Sequence, residues 1–130
     1  MTDDPLRTAM TGAACALGNG EERLLVRSGA DVVFLKPGDI DWIEADGDYM
    51  VFHVGTQSVL ARATMARLEA CLDPARFVRI HRSSIVNVGR LSRITPASSG
   101  DYIAVLGDGT RLKLSRGYHA RMGSLLERAL

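Results

Sequence analysis

The stretch richest in side chains able to do chemistry is Arg79-Ile80-His81-Arg82-Ser83, preceded by Phe77-Val78 and followed two residues on by Val86-Asn87. A guanidinium is a planar fork of N–H donors that fits a phosphate or the O6 and N7 edge of guanine. Arg82 has two readings here: recognition of a base, or a surface salt bridge to a neighbour such as Glu69 or Asp73. His81 invites acid–base catalysis, yet no nucleophile or orienting acid stands beside it in sequence. It is expected to hydrogen-bond the backbone of its own loop and so position Arg82, with a phosphate contact as the second reading. Ser83 and Asn87 can cap backbone groups or bond phosphate oxygens, and Asn87 is read as structural.

Other chemistries find little support. Gly107-Asp108-Gly109 is a turn between two strands rather than a phosphate-cradling loop. Cys15 and Cys71 form no CxxC pair and have no histidine at metal-ligand spacing, so neither a metal site nor a disulfide framework is indicated. Cys71, close to Leu68 and Leu72, reads as a buried small hydrophobe. No catalytic residue, metal or cofactor is predicted, and no enzyme. No apolar run approaches the roughly 18 residues that span a bilayer, and Asp3 and Asp4 stand where an export signal needs positive charge. A reduced cytoplasm fits best.

The cations are distributed unevenly. Residues 1 to 60 carry four basic and ten acidic side chains, net −6, and residues 61 to 130 carry twelve basic and five acidic ones, net +7. Fourteen of the 16 cations are arginine. A cationic half of this kind suits a polyanionic partner, because phosphate contacts release condensed counterions. It suits equally a fold in which both halves interleave and the charges mix.

The elements that must position these residues are short. A chain of 130 residues holds one domain with its own core. Residues 1–20, rich in Ala, Thr and Gly, read as a flexible leader, and residues 21–130 as the domain. Leu24-Leu25-Val26 and Val32-Val33-Phe34-Leu35 predict one hairpin. Ile40–Glu44 and Tyr49–Val54 predict a second, around the turn chemistry of Asp46-Gly47. Val59-Leu60-Ala61 predicts a further strand. Thr64 is a plausible N-cap for a helix with Met65, Leu68 and Leu72 on one face and Pro74 after its end. Phe77–Ile80 is extended, whereas residues 81–89 are too polar for a simple strand and read as a shaped loop. Leu91–Thr95, Tyr102–Leu106 and Arg111–Leu114 predict a three-stranded meander, and Tyr118, Met122, Leu125, Leu126 and Ala129 a short final helix. The fold class is therefore mostly β, about eight short antiparallel strands with one interior and one C-terminal helix. Trp42, Tyr49, Phe52 and Phe77 are expected in the core. Alternation puts Arg111 and Lys113 on one strand face as a basic stripe.

Four landmarks occur in order from Ile40 to Leu126: Ile40-Asp41-Trp42-Ile43-Glu44-Ala45 leading to Tyr49; Ala61–Met65 with Leu68-Glu69; Phe77-Val78-Arg79-Ile80-His81-Arg82-Ser83 with Val86-Asn87; and Leu106–Gly109 with Leu114-Ser115-Arg116. In this series the chain resembles the LytTR family of DNA-binding domains. The resemblance implies an elongated, mostly antiparallel β fold whose loops, not a recognition helix, enter the grooves of double-stranded DNA. It implies paired direct repeats in promoters as targets, a homodimer on DNA, and a partner regulator or sensor as input. It carries DNA contacts onto the loop at Asp46–Tyr49, with Asp48 or Tyr49 as candidates, onto Arg82, and onto Arg116, where phosphate and base are both open. Lys113, Arg79, Arg90, Arg93 and Arg111 are the pool for phosphate contacts. The carboxylates of Asp46 and Asp48 depart from a DNA-facing ideal, since they repel phosphate unless one accepts from cytosine N4. A protein-interaction or sensor module on the same scaffold is the alternative.

Overall fold

The computed structural model describes residues 14–17 and 22–127. Eleven strands and two α-helices among them form three antiparallel sheets. The first sheet is β1 (Ala14–Leu17), β2 (Glu22–Ser28) and β3 (Asp31–Leu35). The second has the order β6-β5-β4-β8-β7, built from β4 (Trp42–Asp46), β5 (Tyr49–Val54), β6 (Gln57–Arg62), β7 (Phe77–His81) and β8 (Ser84–Asn87). The third is the expected meander of β9 (Leu91–Pro96), β10 (Tyr102–Leu106) and β11 (Arg111–Leu114). Helix α1 (Met65–Cys71) links β6 to β7, and α2 (His119–Leu126) follows β11. Ala14–Leu17, inside the stretch read as a leader, pairs with β2, and the rest of that stretch lies outside the described residues.

The five-stranded sheet is a middle layer because successive residues of a strand point to opposite faces. One face, with Ile43, Phe52, Ala61 and Ile85, packs on Leu24, Val26 and Leu35 of the first sheet and on Met65, Leu68 and Leu72. The other, with Val78, Ile80 and Val86, packs on Ala104, Leu106, Leu112 and Leu114 of the third sheet and on Met122 of α2. Burial on both faces explains why β8 falls where the sequence alone predicts a shaped loop. Ile85 and Val86 are adjacent and both buried, so no polar-apolar alternation marks the strand. Strand β4 joins it through Trp42↔Val86, Ile43↔Ile85 and Glu44↔Ser84.

Local chemistry sets the turns. Gly47 takes a left-handed φ of 63° in the two-residue loop between Asp46 and Tyr49, a conformation L side chains resist. Thr64 Oγ1 accepts from the Arg67 N–H at 3.1 Å and caps α1. Asn87 is buried, donates through Nδ2 to the Ile40 carbonyl at 2.8 Å and accepts at Oδ1 from the Gly89 N–H at 2.9 Å. It ties β8 to the chain before β4 and caps a 3-10 turn at Val88–Arg90.

Two expectations are corrected. Trp42, Phe52 and Phe77 do contribute to the core, but Tyr49 is 42% exposed. Its partner across the hairpin is Arg62, whose guanidinium lies 5.7 Å above the ring. Cys71 is disulfide-bonded rather than a free buried thiol, and the sequence holds one other cysteine, Cys15. Strand pairing sets Cys15 opposite Leu24, whose side chain shares a core with Leu68 and Leu72 of the α1 region. No spacing rule reveals in the sequence that Cys71 is bonded.

Candidate nucleic-acid interface

Three corners of the scaffold adjoin. The β7–β8 turn at Arg82-Ser83 meets the end of β4 through the Ala45 N–H, which donates to the Ser83 carbonyl at 2.8 Å. It meets the end of β11 through the Ser115 N–H, which donates to the Ile80 carbonyl at 2.9 Å. The first bond brings in the Gly47-Asp48 hairpin loop and the second brings in Arg116. Segments tens of residues apart thus share one edge, with Arg82, Asp48, Tyr49 and Arg116 all exposed upon it.

His81 and Ser83 shape the turn itself. His81 Nδ1 accepts from the Ser83 N–H at 3.2 Å and lies 2.8 Å from Ser83 Oγ. Nδ1 must lack a proton to accept, so the neutral ring carries its hydrogen on Nε2 and Ser83 Oγ donates the second bond. Burial, then the charges of Lys113, Arg82 and Arg79, keep the ring below the ordinary histidine value, with Asp101 opposing them weakly. The ring is a neutral strut across the loop.

Arg82 projects from this turn into solvent, and among the described residues its guanidinium has no ion pair or hydrogen bond. Neither acid weighed as its salt-bridge partner pairs with it among the described residues, and both bond other groups. Glu69 Oε1 accepts from Arg79 at 2.7 Å and Oε2 from Arg121 at 2.6 Å. Asp73 Oδ1 accepts from the Ala75 N–H at 2.9 Å. Burial pushes the Glu69 carboxyl up, but the hydrogen bonds and charges of the two arginines outweigh it and hold the group below its ordinary value. An unpaired, exposed guanidinium on a braced turn is a ready donor for an incoming acceptor.

The remaining cations sort by geometry. Arg93 and Arg111 both stand opposite Val105 on the outer face of the third sheet, and Lys113 lies on the same face opposite Ile103. Lys113 Nζ is 3.5 Å from Asp101, whose Oδ1 accepts from the Arg116 N–H at 3.1 Å. Two members of the pool for phosphate contacts hold protein groups instead. Arg90 turns to Asp41 at 3.2 Å and to the Gly38 carbonyl at 3.0 Å, on chain that leads into β4 from the end away from the Gly47 loop. Arg79 is largely buried and holds protein groups. Arg62 is the residue sequence reasoning missed. Its guanidinium is 3.9 Å from Asp48 Oδ2, so the acidic loop carries its own counter-charge. Counting the β5–β6 hairpin outward from Gly55-Thr56 would have set Arg62 against Tyr49. Both charges are largely exposed, and the pair adds little to stability.

Among the described residues no cluster of His, Cys, Asp and Glu is placed to hold a metal ion, and no helix is long and apolar enough to cross a membrane. Fold and site together define a β scaffold that displays arginines on connected loops, a loop-based binding domain. Residues 30–127 match the family model described as the LytTr DNA-binding domain, and the chain belongs to that family. Over 107 residues it is 25% identical to the sensory transduction protein LytT of Bacillus subtilis, covering 82% of this chain and 44% of the relative. Over 99 residues it is 29% identical to the CO-responsive transcriptional regulator RcoM of Rhodospirillum rubrum, covering 75% and 42%. The chain thus spans less than half the length of these relatives. A solved LytTr DNA-binding domain from Bacillus cereus superposes with a TM-score of 0.73 at 20% identity, over 82% of this chain and 98% of that one, and shows the same fold.

Proposed function

We propose that this domain binds double-stranded DNA sequence-specifically as the output of a bacterial transcription regulator, and that Arg82 is its principal base reader. The observation that carries this is the exposed, unpaired Arg82 on a turn braced by His81, Ser83 and Arg79. A forked contact from it to guanine O6 and N7 supplies roughly 1–3 kcal/mol of discrimination. Arg116 extends the footprint from the adjoining corner. Arg93, Arg111 and Lys113 contact phosphates, which positions the domain without reading sequence. The Nε2–H of His81 donates to the phosphate nearest the turn, Ser83 holds the ring in place for that contact through both of its own hydrogens, and Tyr49 with Asp48 and Arg62 lines the flank. The partners are two domains on paired direct repeats, with a sensor or partner regulator as input and the cytoplasm as location. The family description, LytTr DNA-binding domain, and the relatives' names, a sensory transduction protein and a transcriptional regulator, support this reading.

Selection of duplexes from a random pool, followed by a salt titration on the selected site, tests it. The selected site should bind with an affinity that falls steeply with salt, with a slope near −0.9 for each phosphate neutralised. A pool that yields no preferred sequence, or an affinity indifferent to salt, refutes the proposal and favours a protein-interaction module.

A further inference from the structure

Four side chains behind the reading edge grip one another, with Arg79 and Glu69 mostly covered and Arg121 at the exposed end of the group. Arg79 donates from Nη1 to Glu69 at 2.7 Å, from Nη2 to the Arg82 carbonyl at 2.6 Å and from Nε to the His81 carbonyl at 3.3 Å. Its fork therefore spans helix α1 and both peptide carbonyls of the β7–β8 turn. Arg121, on α2, holds the other oxygen of Glu69 at 2.6 Å. Both guanidiniums lie 5.2 Å from the ring of Tyr118, which they share as a cation–π platform. Tyr118 in turn closes a single 3-10 turn with Arg116, its N–H donating to the Ser115 carbonyl at 2.9 Å.

The cluster has one consequence for recognition. Arg82 sits at one end of it, through the carbonyls that Arg79 grips, and Arg116 sits at the other, two residues from Tyr118. Two like charges close to one ring repel, and Glu69 is the carboxylate that reconciles them by bridging both. Without it Arg79 loses the anchor that aims its fork at the turn, and Arg121 loses its link to α1. A reading pair needs its spacing fixed well below the width of a base pair, because a forked hydrogen bond weakens steeply with misalignment.

We propose that Glu69, Arg79, Tyr118 and Arg121 form a clamp that fixes Arg82 relative to Arg116, so that Glu69 and Arg79 determine sequence preference without touching DNA. The proposal rests on the reading of Arg82 as a base contact. The decisive variant is Glu69→Gln, because two mechanisms give it opposite signs. By charge alone, removing a carboxylate near a polyanion tightens binding to every duplex. By positioning, the variant loses preference, since the neutral amide bridges the two arginines poorly.

The measurement is the ratio of Kd on a scrambled duplex to Kd on the selected duplex, read by fluorescence anisotropy for wild type, E69Q, R82A and the double variant. Thermal unfolding of each protein confirms the fold. E69Q should lower the ratio about tenfold, inside the roughly 5- to 150-fold that one arginine–guanine pair supplies, while scrambled DNA binds as tightly or more tightly. In the R82A background E69Q should change the ratio no further, since it acts through Arg82. Tyr118→Leu, which strips the platform from both guanidiniums, should reproduce E69Q and serves in its place if E69Q does not fold. A wild-type ratio in E69Q, an equal loss on both duplexes, or the same E69Q effect with and without Arg82 overturns the clamp. A wild-type ratio in R82A overturns the reading of Arg82, and the clamp with it. A reduced ratio in R82A beside an unchanged one in E69Q overturns the clamp alone.

Discussion

Arg82→Ala separates binding from stability more sharply than any other substitution in this domain. Its guanidinium is exposed and, among the described residues, has no protein partner. Truncation therefore breaks no folded-state interaction, and stability should stay within about 0.5 kcal/mol of wild type, as for surface substitutions generally. The turn survives because its braces are elsewhere, in the His81–Ser83 bonds and in Arg79, which holds the carbonyl of residue 82 rather than its side chain. On the selected duplex the variant should lose about 1–3 kcal/mol, an affinity loss of roughly 5- to 150-fold that scrambled DNA does not share. Salt distinguishes the ways this could fail. If Arg82 reads a base, the slope of log K against log salt is unchanged; if it contacts a phosphate, the slope shrinks by about 0.9 and all duplexes weaken alike. Anisotropy titrations on both duplexes across a sodium chloride series, with a thermal melt of each protein, provide every quantity. A smaller slope with equal loss on both duplexes, or a melt lowered by several degrees, refutes the assignment of Arg82 as a base reader on a preformed turn.

Other consequences concern the supports. Asn87→Ala should cost about 2 kcal/mol in urea unfolding, because it strands the Ile40 carbonyl and the Gly89 N–H; a loss under about 0.5 kcal/mol would mean that water replaces both bonds. For His81 the folded ring lies below its ordinary value of 6.5, chiefly through burial. Above that value both folded and unfolded rings are neutral and stability is flat; as pH falls below it the unfolded chain takes the proton first, and stability declines until the folded ring also titrates. His81→Gln should remove that part of the decline in urea midpoints measured between about pH 7.5 and pH 5, and an unaltered profile would contradict it. Reducing the Cys71 disulfide should lower stability by roughly 2–4 kcal/mol, read as a shifted melt with and without dithiothreitol. Equal melts would show that the bond adds nothing to the fold in solution.

Much of this domain is written locally. Asp46-Gly47 specifies a hairpin because the left-handed φ of Gly47 depends on that residue alone. Thr64, three residues before the N–H it caps, starts α1, and the alternation of Arg111, Leu112, Lys113 and Leu114 sorts a strand into its two faces. The position of Arg82 beside a histidine and a serine in a compact turn belongs to the same class, since the bonds that shape the turn link residues two apart. Tertiary structure decided the rest. Strand β8 is obscured in the sequence because Ile85 and Val86 face two different cores. Arg79 looks like any other cation until Glu69, ten residues back, and Tyr118, far ahead, converge on it. Asp48 looks repulsive to DNA until hairpin register brings Arg62 beside it, and Cys71 looks like a free thiol although the folded chain bonds it. Turn and cap chemistry depends on neighbours within a few bonds and is read from residue types. The partner of a charge depends on which distant strands pair, and that is settled by burial of whole faces rather than by any short stretch of chain.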